Sequence, residues 1–156
     1  MAERSFKNIG TSVTQLQTSR PPVQTFPIGI KTPMELGGNG NPYKMHTTLP
    51  EQINDNLRNM ILSNHGERLG KYDYGANLRL LLADFATNTD AETVAMQSIM
   101  STVEKYMPFI SLDTFEIQNL PPTRNAQAKF QINIGYSVSK IGASNQKLKI
   151  ILEVMG

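Results

Sequence analysis

The sequence has no cysteine and no tryptophan, only two histidines, and no apolar run long enough to span a bilayer. Without thiols there is no disulfide framework, no thiolate zinc site and no cysteine nucleophile. His46 and His65 lie in different segments and form no His-x-x-x-His pair, so they do not announce a metal site. No serine occupies a Gly-x-Ser-x-Gly elbow, the usual frame for a histidine-activated nucleophile. Net charge is small as well. Fifteen Lys and Arg against 13 Asp and Glu leave +2, short of the concentrated basic footprint of a nucleic-acid binder. Met1-Ala2-Glu3-Arg4-Ser5 carries no signal-peptide core, so the chain is expected to be made in a cytoplasm and to stay soluble until it assembles. No cofactor, nucleic acid or membrane is expected among its partners.

What is present is unevenly distributed. Residues 1–48 carry five basic and two acidic side chains, residues 49–120 five and ten, and residues 121–156 five and one. An acidic middle between basic ends suits docking onto complementary proteins, although surface charge also scatters this way without purpose. The 156 residues suffice for one domain. Its first 48 residues do not read as part of a globule. Thr18-Ser19-Arg20-Pro21-Pro22 and Gly37-Gly38-Asn39-Gly40-Asn41-Pro42 bury too little apolar area to offset their ordering entropy. Phe26, Ile28 and Ile30 alternate on one face across 25–31, and Pro27 restricts that segment to an edge strand or a surface-bound extended stretch. An extended arm over 1–48, lying on a neighbour, is the expectation, with the domain over 49–156.

The rest of the chain has two clear periodicities. Thr48-Leu49-Pro50-Glu51 has capping-box spacing, and Ile53, Leu57, Met60 and Ile61 then share one helical face up to Ser63-Asn64-His65-Gly66. A shorter helix over 76–85 should bury Leu78, Leu81, Leu82 and Phe85. Thr89-Asp90-Ala91-Glu92 repeats the capping spacing before a stripe of Met96, Ile99, Met100, Val103 and Met107 that stops at Pro108. Such a stripe reads first as core and second as a partner surface. Residues 110–118 should form a strand, broken by Asn119-Leu120-Pro121-Pro122. From Ala128 through Phe130, Ile132, Ile134, Tyr136 and Val138 the pattern has a strict period of two. Gly142-Ala143-Ser144-Asn145 reads as a hairpin loop leading into Leu148, Ile150, Leu152 and Val154. The order of elements predicts an α+β fold with about three helices on one face of a small, mainly antiparallel sheet.

Glu67, Asp73 and Asp84 are the carboxylates that could serve a glycosidase, which needs an acid and a base or nucleophile across a sugar bond. Carboxylates fall near one another in any domain of this size, and there is no tryptophan to hold a sugar. No catalytic residue and no metal ligand is therefore assigned. The most unusual local feature is Gly66-Glu67-Arg68 followed by Tyr72-Asp73-Tyr74-Gly75. Arg68 is expected to bind carbonyls at the end of the first helix, making the loop a bracket between helices. A partner-binding loop is the other reading.

With these residues the chain resembles the baseplate wedge proteins of contractile phage tails, related to type VI secretion baseplate components and often labelled "lysozyme-like". The resemblance rests on Gly66-Glu67-Arg68, Tyr74-Gly75, then Leu78, Leu81 and Leu82, with helices and strands matching in order from about residue 45 to 155. Phe26-Pro27-Ile28 resembles the arm strand that precedes the family's domain. Tyr72 stands where the family has a proline, Leu82-Ala83-Asp84 replaces Leu-Phe-Glu, and Met107-Pro108-Phe109 keeps only Pro108 of a Glu-Pro-Arg turn associated with the wedge core. The resemblance implies a structural protein of the virion, at the baseplate, that joins other wedge proteins and initiates the sheath. Sheath subunits would join by strand addition, and tube or hub proteins are further possible neighbours. The terminal strand with Leu148, Ile150 and Leu152 is the edge expected to recruit a partner. The rivals are a peptidoglycan-cleaving muramidase and another tail component such as a terminator.

Overall fold

The computed structural model describes residues 26–38, 42–81, 90–121 and 126–155, so expectations for Leu82, Asp84, Phe85 and Thr89 lie outside the described residues. In chain order come β1 (Gly29–Ile30), β2 (Met45–His46), α1 (Leu49–Leu62), α2 (Leu78–Leu81), α3 (Ala91–Tyr106), β3 (Ser111–Leu120), β4 (Ala126–Val138) and β5 (Ala143–Met155). β1 pairs antiparallel with β2, and β3, β4 and β5 form an antiparallel sheet in that order. The fold is α+β, as the order of periodicities predicts. No helix among the described residues is long and apolar enough to cross a membrane.

The period-two run of β4 decides where the core lies. Phe130, Ile132, Ile134, Tyr136 and Val138 are all buried, whereas Gln131, Asn133 and Ser137 point to the other face. The register aligns Ile117, Ile132 and Ile150 across the sheet, and likewise Phe115, Ile134 and Leu148. Such cross-strand rows give a continuous apolar face. Leu57, Met60 and Ile61 of α1 and Ile99 and Val103 of α3 join the same core. Burying a side chain of this size contributes about 1.5–3 kcal/mol. Polar contacts also fix α1 to the sheet: Asn54 Nδ2 donates to the Tyr136 hydroxyl at 3.1 Å and to Lys147 O at 3.3 Å.

Local details depart from the sequence expectations for physical reasons. Thr48 is the N-cap of α1 in extended conformation but makes no side-chain cap bond. Pro50 occupies the second helical position and has no N–H to offer it. The N-cap of α3 is Asp90. The buried face of α3 is Ala91, Ala95, Ile99, Thr102 and Val103, so Met100 is exposed and Met96 only partly covered. Of the short helix, Leu78 is buried, Leu81 half-buried and Leu80 exposed. The hairpin turns three residues earlier than expected. A single 3-10 turn over Ser139–Ile141 ends at Gly142, which has φ +65°, and β5 has begun by Ala143.

The arm enters the described structure at Phe26 and there doubles back. Ile28 N–H donates to His46 O at 2.8 Å and Lys31 N–H to Lys44 O at 3.0 Å, with a further bridge between Leu36 and Tyr43. Gly29 lies so close to the Gln52 side chain of α1 that any Cβ would collide with it. One carboxylate holds both legs of this hairpin: Asp55 Oδ2 accepts from Thr32 N–H at 2.8 Å and lies 2.7 Å from His46 Nε2. His46 and Asp55 are both buried. Burial pushes the Asp55 carboxyl up, but the hydrogen bonds from His46 and Thr32 outweigh it and leave the group below its ordinary range.

Candidate partner-binding site

Gly66, Glu67, Arg68, Tyr74 and Gly75 come together in the loop between α1 and α2, and each has a definable task. Ser63 ends α1 by donating its N–H to Asn59 O and Met60 O, and its hydroxyl also reaches Asn59 O at 2.7 Å. Serine thereby does the work expected of Arg68. Glu67 accepts from Asn64 N–H at 2.9 Å and from the Asn64 amide at 2.7 Å, and these bonds hold its carboxyl below the usual range. Gly66, at φ +85°, donates its N–H to Tyr72 O at 2.7 Å and closes the loop at its base.

Gly75 is the position no other residue could fill. Its φ is +107°, and a Cβ there would run into the backbone of Ser63. The close approach lets Asn77 N–H reach Ser63 O at 3.3 Å. Gly75 O in turn accepts from His65 Nε2 and from the Thr102 hydroxyl, both at 3.1 Å. The Ser98 hydroxyl reaches Ala76 O at 2.6 Å. The loop is thus fastened to the end of α1 and to the middle of α3, a bracket in the literal sense.

The outer side of the bracket carries charge and aromatic rings. The Arg68 guanidinium sits 4.0 Å above the Tyr74 ring, and Tyr74 meets Tyr106 edge to face at 4.9 Å. Asp73 pairs with Lys105 and accepts from the Tyr106 hydroxyl at 2.7 Å. These two hydrogen bonds pull the Asp73 carboxyl down to about 2. A cleft of about 300 Å³ opens here, walled by Asn56, Asn59, Arg68, Lys71, Tyr74 and Tyr106, with Met60 and Met107 at its base. Leu69 at the loop tip is fully exposed, and so, very largely, is Tyr72.

The other sequence-predicted residues lie elsewhere. Pro108 follows Met107, in the turn beside the cleft. Phe26, Ile28 and Ile30 are on the hairpin, exposed by 77%, 50% and 43%, with Met34 and Leu36 also bare. Leu148, Ile150 and Leu152 face inward from β5, so their side chains serve the domain's own core. Sequence reasoning missed Lys71, Lys105, Tyr106 and the His46–Asp55 bond. Tyr106 at the end of the α3 stripe was the one available signal. Among the described residues no group of three or more His, Asp or Glu could hold a metal.

No family model matches the sequence, and no curated protein does. Among solved structures, the fold is similar to that of a Geobacter sulfurreducens protein described as a "putative tail lysozyme". The TM-score is 0.54 at 18% identity, over 72% of this chain and 97% of that one. At that identity the likeness is one of fold.

Proposed function

We propose that this chain is a structural component of a contractile-tail baseplate, that it joins the wedge and initiates the sheath, and that it is not an enzyme. The observation that carries this reading is the fold likeness to a protein named for a tail, which spans nearly all of that protein. Two features of this chain support it. The arm hairpin leaves Phe26, Ile28, Ile30, Met34 and Leu36 uncovered, an apolar strip suited to another wedge protein. β5 is the outer strand of its sheet among the described residues, with Leu148 and Ile150 fixing its register from inside and Lys147 and Lys149 on the outer face. A sheath subunit adding a strand along residues 151–153, past the Lys147 and Lys149 carbonyls that Asn54 and Arg58 already engage, would gain backbone hydrogen bonds, and the lysines would discourage wrong partners.

The neighbour's name favours a second reading, cleavage of peptidoglycan. Two of its three candidate carboxyls speak against it, Asp84 lying outside the described residues. A glycosidase needs one carboxylic acid raised towards neutral pH, whereas hydrogen bonds push both Glu67 and Asp73 down. Labelling the protein in purified particles tests the assembly reading, with signal expected at the baseplate end. Signal spread along the tail, or none, removes it. Glycan release above buffer that disappears in Glu67→Gln would establish the muramidase.

A further inference from the structure

The cleft on the outer side of the bracket has an unbalanced charge. Three cations stand around two tyrosines: Arg68 over Tyr74, and Lys71 and Lys105 each 5.5 Å from the Tyr106 ring centre. The nearest carboxylate, Asp73, is already taken by Lys105 and the Tyr106 hydroxyl. Glu67 is turned to Asn64. Arg68 and Lys71 therefore have no carboxylate within ion-pair distance among the described residues, yet both wall the same recess. Asn56 and Asn59 add amide groups from α1 to the lining.

We infer that this cleft binds a carboxylate presented by a partner protein, an Asp or Glu side chain on an acidic segment laid across the loop. The Arg68 fork can take a carboxylate edge-on while its face stays on Tyr74, which holds the side chain in one orientation before binding. Lys71, beside the Tyr106 ring, supplies a second charge to the same recess. Leu69 and Tyr72, bare at the loop tip, provide apolar contact flanking the charged pair, the usual arrangement around a polar anchor. The near-neutral balance of the whole chain favours a single acidic side chain over a polyanion, which would need a broad basic surface. Only the choice of a protein as occupant rests on the assembly reading.

The test is an NMR titration of the full chain with an acetylated, amidated tetra-glutamate peptide, run beside its glutamine counterpart and inorganic phosphate. The glutamate peptide should bind about tenfold more tightly than the glutamine one, with shifts at Arg68, Lys71, Tyr74 and Tyr106. Arg68→Gln should abolish that preference. Lys71→Gln, at an exposed side chain that touches the Tyr106 ring, should weaken it several-fold even if Arg68→Gln proves unfoldable. Lys147→Gln with Lys149→Gln, on the far face of the sheet, should leave it unchanged. Equal binding of both peptides, shifts centred on Lys147 and Lys149, or phosphate binding as tightly as the glutamate peptide would each overturn the inference. A particle lacking the protein at its baseplate would remove the assembly reading and leave this titration standing.

Discussion

The sheet and the bracket loop hold their shapes by opposite means. In β3–β5 the geometry is repetitive, and rows such as Ile117–Ile132–Ile150 share the stabilisation among many side chains. Between Ser63 and Asn77 almost nothing repeats. A few backbone oxygens, chiefly Ser63 O and Gly75 O, collect donors from α3, from His65 and from the loop itself. The apolar sheet tolerates similar neighbours at any one place, whereas the loop depends on single atoms being where they are. This difference also divides their uses: the regular part carries the fold, and the irregular part offers distinct chemistry to a neighbour.

Substitutions can break that comparison, and the largest effect should come from the sheet. Ile134→Ala, at a side chain packed between Phe115 and Leu148, should cost about 2–5 kcal/mol in chemical denaturation. Gly75→Ala comes next, at about 2–4 kcal/mol, because it combines a positive φ with a collision against the Ser63 backbone. If Gly75→Ala melted like the parent, the bracket would be far more pliable than its geometry says. His46→Phe should cost about 1–3 kcal/mol by taking one donor from the buried Asp55. The same carboxylate gives a pH signature. Its folded pKa is depressed, so its stabilisation is fully present above the unfolded carboxyl value and fades as pH falls through the folded one. Protection against hydrogen exchange at Ile28 and Lys31, relative to the intrinsic rate at each pH, should fall over that acidic window and stay high near neutrality. Smallest is Arg68→Ala, about 0.5–1 kcal/mol for the lost cation–π contact of an exposed guanidinium with the half-buried Tyr74 ring. A cost of several kcal/mol there would restore Arg68 as the closing residue of α1.

The same contrast explains what could be read in the sequence. The alternation over 130–138 translates directly into burial because a strand has only two faces. The turn before β5 was harder, since Gly142 and Asn145 both adopt positive φ and either could have marked the corner. Of the α3 stripe, Ile99, Val103 and Met107 are buried, Met96 is partly covered and Met100 is exposed. The helix also lays its alanines, Ala91 and Ala95, against the core. In the bracket, Gly66, Glu67, Arg68, Tyr74 and Gly75 were found as a cluster, but Arg68 was assigned work that Ser63 does. Nothing local in the sequence ties Thr102 to Gly75, or Asp73 to Lys105 and Tyr106, because those bonds form only once α3 has packed.

Asp55 has a consequence for how far the arm can extend. By gripping Thr32 on one leg of the hairpin and His46 on the other, it fastens the chain to α1 at Thr32, so that an outward span no longer begins at Thr48. The 17 residues from Thr32 to Thr48 are then withdrawn from any outward span. At roughly 3.5 Å per extended residue this shortens the greatest reach by about 60 Å. Tension on the arm would also be delivered to the middle of α1 at Asp55 instead of to its first turn, where a helix frays most readily. The single carboxylate thus sets both the length of the tether and the place where it is anchored.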